Sequence, residues 1–251
     1  MQPNPHVPTR DAHDSPRTRR RWLRWSLLGL AAFCVVLVLS GLFSYEFVLP
    51  GVGDAPARVV RIVQRHRGTP AALPLPTKLA VAVVAVEDEH FYSNVFVNVL
   101  DGAARAGLAT FRGGGDPGGS TIAQQLAKQL YPHGGGLAGT VEEIGLGVKL
   151  SNTYSKTQTL NMYLNAVYYG NGYWGDRAAA HGYFNLDPDQ LTWAQASLLA
   201  GLPQAPSLYN PLQNYSLAKQ RQRHVLSQLV ANKYLTKQQA AVAYQQPLNL
   251  N

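Results

Sequence analysis

Gly118-Gly-Ser-Thr-Ile-Ala-Gln-Gln-Leu-Ala-Lys128 is a glycine turn that runs into an amphipathic helix. Thr121 and Gln124 stand at capping-box spacing, which puts the first helical residue at Ile122. Unpaired N–H groups and the positive end of the helix dipole suit an anion there, a phosphate above all. Gln124, Gln125 and Lys128 follow one turn later with more donors and a positive charge. No Lys precedes Ser120, so this is not the phosphate loop of nucleotide hydrolases. A plain glycine turn before a capped helix explains the pattern equally well.

Working outward, residues 77–235 read as mostly helical. The spacing predicts helices over 79–89, 122–130, 141–150, 157–168, 191–202 and 217–233, and alternating strand patterns are scarce. The expected fold is mainly α: one compact helical domain, with residues 236–251 as a C-terminal tail. Pro70, Pro74 and Pro76 break the chain before it, which leaves 46–76 as a linker and juxtamembrane segment. Within that segment Arg58, Arg61 and Arg65 recur at helical spacing among valines. Such a stretch suits an anionic membrane surface, or is an ordinary solvated helix face.

Upstream, Trp25 to Tyr45 carries no charge over 21 residues, about 31 Å of helix, enough to cross a hydrocarbon core. Residues 1–24 hold six Arg against two Asp and read as a basic disordered leader. That asymmetry keeps the N-terminus in the cytoplasm and sends the rest of the chain across, as a single-pass protein of the cell (inner) membrane. A cleaved signal peptide is the rival, but its apolar run is normally shorter. The leader holds half of the net charge of +8, which argues against a nucleic-acid-binding body. One cysteine, Cys34, excludes a disulfide scaffold and a Cys-based zinc site.

Glu87 ends the apolar run Leu79-Ala-Val-Ala-Val-Val-Ala-Val86. A carboxylate at the mouth of such a run is partly desolvated and suited to acid/base work; a solvated helix end is the plainer reading. Asp88, Glu89 and His90 adjoin it, but no His pair at i, i+4 suggests a zinc cage.

The residues now quoted resemble a family. Glu87-Asp88-x-x-Phe91-Tyr92 and Gly118-Gly-Ser-Thr-Ile-x-Gln-Gln-Leu-x-Lys128 are similar to the first two motifs of the family 51 glycosyltransferases, the peptidoglycan glycosyltransferases. Leu160-x-x-Tyr163-Leu-Asn165-x-x-Tyr168-x-Gly170 resembles the fourth motif, and Leu198-Leu-Ala-Gly-Leu-Pro203-x-x-Pro206 belongs to the fifth region. The resemblance implies a lysozyme-like helical bundle with a membrane-proximal subdomain, preceded by one transmembrane helix. It implies polymerisation of lipid II onto a nascent glycan strand, with release of undecaprenyl pyrophosphate. Glu87 would be the base and Glu143 would help organise the pyrophosphate. Asp88, Phe91, Gly119, Ser120, Thr121, Gln124, Gln125, Lys128 and Tyr168 would line the substrate site. The resemblance implies no organic cofactor and admits a divalent cation, Mg or Mn, with Glu143 as its candidate ligand. Other cell-wall synthesis proteins are the expected partners.

The departures are specific. The basic pair of the third motif falls on Gly139 and Thr140, and Ser151, Asn94 and Phe96 replace a Glu, a His and a Gly. Glu143 also fits a structural role, since Thr140-Val-Glu-Glu143 has capping-box spacing. The missing cations keep open a degenerate, non-catalytic protein that binds lipid II or scaffolds the cell-wall machinery. A lytic enzyme is a third reading. Ser216-x-x-Lys219 mimics a transpeptidase motif, but no K-T-G accompanies it. Lys219, Arg221, Arg223 and His224 read as a solvated basic face.

Overall fold

The computed structural model describes residues 16–93, 120–132 and 134–251, in two compact units divided after Leu49. The first unit is one helix, α1 (Pro16–Phe43), whose end winds into a π-helical turn over Ser44–Val48. Trp25–Val48 is long and apolar enough to cross a membrane. Its large side chains are exposed all round, Leu28, Phe33, Val36, Leu39 and Phe43 among them, as a lipid-facing helix requires. Residues 16–24, expected to be disordered, continue this helix backward. Pro16 starts it and arginines are good helix formers, so the apolar helix propagates into the basic stretch. Residues 1–15 lie outside the described ones.

The second unit holds α2 (Ala55–Arg65), α3 (Thr77–Glu87), α4 (Ile122–Leu130), α5 (Gly136–Thr153) and α6 (Lys156–Ala166). After them come α7 (Asp176–Phe184), α8 (Trp193–Gly201), α9 (Tyr215–Ala231) and α10 (Lys237–Gln245). Among the described residues there is no strand, only a bridge between Tyr168 and Trp174. α3 is buried on every side because its sequence is almost wholly Ala, Val and Leu. It packs between α8 and α9, and the small residues of α8, buried from Ala194 to Gly201, permit that close approach. α4 packs against α5 and α6. At Gly147 of α5 a Cβ would lie 3.1 Å from both the N and the Cα of Gln124, so glycine sets that spacing. Capping boxes of Thr or Ser with Gln three residues on start α4, α6, α8 and α10.

Three boundaries differ from the sequence reading. α5 begins at Gly136, so Thr140 lies inside it and its hydroxyl donates to the Gly136 carbonyl. The capping box of Thr140 and Glu143 does not form, because the glycine start precedes it by a turn. The linker contains α2, bound into the domain by Val59 and Val63, both buried. Arg58 of α2 donates to the Leu130 carbonyl, pairs with Asp54 and lies 4.4 Å from the Tyr131 ring centre; Arg61 and Arg65 are exposed. The tail, finally, is part of the fold: Gln195 donates to the Leu248 carbonyl and the Asn251 amide to the Tyr183 carbonyl. Leu248 and Ala243 supply the buried apolar surface.

Gly175, at φ 84°, turns the chain into α7 and leaves Asp176 buried. Burial raises the Asp176 carboxyl from 3.8 to about 6, against the opposing backbone hydrogen bonds and Arg177. The folded state therefore binds this proton more tightly than the unfolded chain does. Stability tied to it is present below pH 4 and is lost as pH rises through 6. Asp176→Asn should stabilise the protein at pH 7.5 by up to about 3 kcal/mol, at 1.36 kcal/mol per pKa unit. Urea unfolding at pH 7.5 and pH 4 checks this: the gain should vanish at the lower pH.

Candidate active site

The last residue of α3 is Glu87. Val83 and Val84 one turn before it are buried, so its side chain emerges from the core with only 11% of its surface exposed. Two donors from other helices reach it. Gln125 of α4 donates its Nε2 to Oε2 at 2.9 Å, and the Tyr163 hydroxyl of α6 donates to Gln125 Oε1 at 2.9 Å. That second bond fixes which end of the amide faces Glu87. Arg221 of α9 brings Nη2 to 3.6 Å from Oε1, with 9% of its own side chain exposed. Tyr163 and Tyr169, both fully buried, are held well above the ordinary tyrosine range, first by burial and also by the Glu87 charge. Glu87 thus sits on an inner wall made by α3, α4, α6 and α9.

Asp88 is itself buried and accepts the Ile122 amide at 3.1 Å. It binds the end of α3 to the start of α4, so the carboxylate and the helix entry predicted from the sequence are neighbours. The entry differs from a bare anion cradle. Asp88 takes the Ile122 N–H, the Thr121 hydroxyl takes the Gln124 N–H, and Gln124 Oε1 takes the Thr121 N–H. Thr121 Oγ1 and Gln124 Oε1 are therefore engaged in the cap, and Gln124 is buried.

Phe91, expected at the substrate, is a core residue 2% exposed. Lys156 stands over its ring at 4.8 Å; burial lowers the Lys156 ammonium while Asp88 opposes the shift. These groups border a small cleft with Thr121, Gly147 and Ser151. Ser120 is half-buried at the entry and Lys128 is exposed one turn beyond Gln125. Glu143 is half-buried on α5, the helix that packs along α4. The Tyr168 hydroxyl accepts the Gly172 amide, and its ring rests 5.0 Å from that of Trp174. Gly119 and the glycines before it lie outside the described residues.

Arg221, which the sequence places on a solvated basic face, instead points inward to Glu87. Its neighbours do lie outside: Lys219 donates to the Tyr244 carbonyl and Arg223 to the Tyr244 hydroxyl. That commits Lys219 structurally and removes the transpeptidase mimic at Ser216.

A buried carboxylate, held by an amide and facing a guanidinium in a helical domain, is a candidate site for general acid–base chemistry. The family model described as "Transglycosylase" matches residues 56–230. Penicillin-binding protein 1F of Bacillus subtilis (strain 168) is 35% identical over 182 residues, 70% of this chain and 25% of that protein. Penicillin-binding protein 1A of Neisseria cinerea is 39% identical over 233 residues, 88% of this chain and 29% of that protein. Penicillin-binding protein 2a of Streptococcus pneumoniae serotype 2 (strain D39 / NCTC 7466) is 40% identical over 163 residues, 64% of this chain and 22% of that protein. The chain thus spans about a quarter of the length of these curated relatives. It belongs to the transglycosylase family, the family 51 peptidoglycan glycosyltransferases. The match begins at residue 56 and so takes in α2, which the sequence reading had left in a linker.

Proposed function

We propose that this chain polymerises lipid II into glycan strands, with Glu87 as the base. The observation that carries the reading is the Glu87 carboxylate, buried yet held by Gln125 and paired with Arg221. The acceptor sugar's 4-hydroxyl gives its proton to Glu87. Its oxygen bonds to the anomeric carbon of the growing strand as the bond to undecaprenyl pyrophosphate breaks, with inversion. The departing diphosphate needs cations and donors. The Ile122 and Gln124 amides of α4 are engaged by Asp88 and Thr121, and among the described residues Ser120 and Lys128 are assigned to the diphosphate. α1 anchors the enzyme at the bilayer that holds its lipid substrate, with the N-terminus cytoplasmic and the domain outside the inner membrane. A divalent cation enters the proposal only as a counter-charge for the diphosphate. Among the described residues no three His, Cys, Asp or Glu side chains gather into a metal cage, and no step is routed through a metal.

The test is incubation of the full chain in detergent with labelled lipid II, with added magnesium or with a chelator, followed by gel separation. Strands of increasing length are expected. No product under either condition would remove the assignment. Shortening of preformed strands would mean a lytic enzyme.

A further inference from the structure

Arg221 occupies a place that is costly for a cation. Its side chain is 9% exposed, between α3 and α8. Burial lowers its guanidinium from the ordinary arginine range, and Glu87 works against that shift. A buried arginine persists when its charge and its donors find partners. Here Nη2 stands 3.6 Å from Glu87 Oε1, and Nε donates to the carbonyl of Gly201, the last residue of α8, at 3.2 Å. Gly201 also makes the room: a Cβ there would lie 2.8 Å from Arg221 Cγ. A glycine that admits the stem, a carbonyl that orients the head and a carboxylate that meets the charge converge on one side chain.

We propose that Arg221 is the positioning residue of the base, keeping the Glu87 carboxylate ionised and in place while Gln125 holds its other oxygen. At 3.6 Å the contact is an ion pair rather than a hydrogen bond, so it acts on charge. Burial favours the neutral carboxyl, which cannot accept a proton, and an adjacent cation reverses that preference. Tyr163 and Tyr169 face Glu87 as neutral phenols, Tyr209 and His224 act on Arg221, and Asp88 adjoins in sequence. α8 carries no titratable group, and Asp189, on the 3-10 turn against α3, is exposed.

The inference rests on Glu87 being the base, so its test has two arms. In the first, Arg221→Gln and Arg221→Lys are compared by the pH profile of kcat/KM on lipid II. Arg221→Gln should lose about 100-fold at pH 7, with its acid limb moved up by about one pH unit or more. Arg221→Lys should keep the limb near its native position. An unmoved limb in Arg221→Gln, or a Lys variant no better than the Gln variant, overturns the proposal. In the second arm, thermal unfolding is measured for Glu87→Gln, Arg221→Gln and the double variant. The double variant should lose less than the sum of the singles; additive losses overturn the pairing. If Arg221→Gln does not fold, recovery of folding on adding Glu87→Gln is the same coupling, and failure of both overturns it. This arm reads the pair even if the native chain proves inactive on lipid II, an outcome that would strike the proposed function alone.

Discussion

Glu87→Gln should reduce lipid II polymerisation by about 1,000-fold or more while the protein still folds. The amide keeps the shape of the carboxylate and an oxygen that can accept from Gln125 Nε2, so the side chain should stay in place. It cannot take a proton from the acceptor hydroxyl, and general-base assistance is worth about 100- to 10,000-fold. The upper part of that range applies because the described wall around Glu87 offers no second carboxylate at hydrogen-bonding distance; Asp88 is spent on the Ile122 amide. Folding carries a smaller cost, since Arg221 loses its counter-charge at 3.6 Å. A melting temperature a few degrees lower is expected. Strand synthesis followed by gel, beside a circular dichroism melt, checks both halves; turnover within tenfold of native would remove Glu87 from the chemistry.

Gly170→Ala should cost more stability than any conservative change elsewhere in the turn between α6 and α7. Gly170 has φ 85°, and a Cβ there would stand 2.7 Å from the Pro206 carbonyl oxygen and 3.2 Å from the Tyr183 hydroxyl. The left-handed backbone costs an alanine about 1 kcal/mol. The overlap falls on main chain, which cannot rotate away, and adds about 2 kcal/mol. For a unit of this size each kcal/mol is worth about 2–4 °C, so the melt should fall by about 6–12 °C. Calorimetry decides it, and a shift below about 2 °C would mean that the turn relaxes.

How much of this was legible depends on the range over which each signal acts. The start of α4 was readable because a capping box is complete within four residues. Glu87 was readable because the apolar run before it is contiguous. The same local logic misled at Thr140, where two glycines had already opened the helix. The helical spacing of α2 was legible in Arg58, Arg61 and Arg65, but not its packing into the domain through Val59 and Val63; α7 hid because alanine and glycine give a weak period. Arg221 touches Glu87 across most of the domain's length, and no local pattern carries such a contact. One clue was present. Arg221 lies on the stripe of Ala218, Gln222, Val225 and Leu229, which is buried along α9, while Lys219 and Arg223 flank it. The motifs also marked residues without sorting them: Gln125 bonds Glu87, whereas Thr121 and Gln124 cap α4 and Tyr168 accepts a turn amide.

The hydrogen bond from the Ile122 amide to Asp88 couples the tip of α3 to the root of α4. Gln125 rides on α4 and Glu87 on α3, so a shift at that seam moves one against the other. A compact molecule wedged into the cleft beside it, between Thr121 and Lys156, would lever α4 outward and strip the amide from Glu87. Such a compound should block the polymerisation proposed above without resembling a sugar, a diphosphate or a lipid.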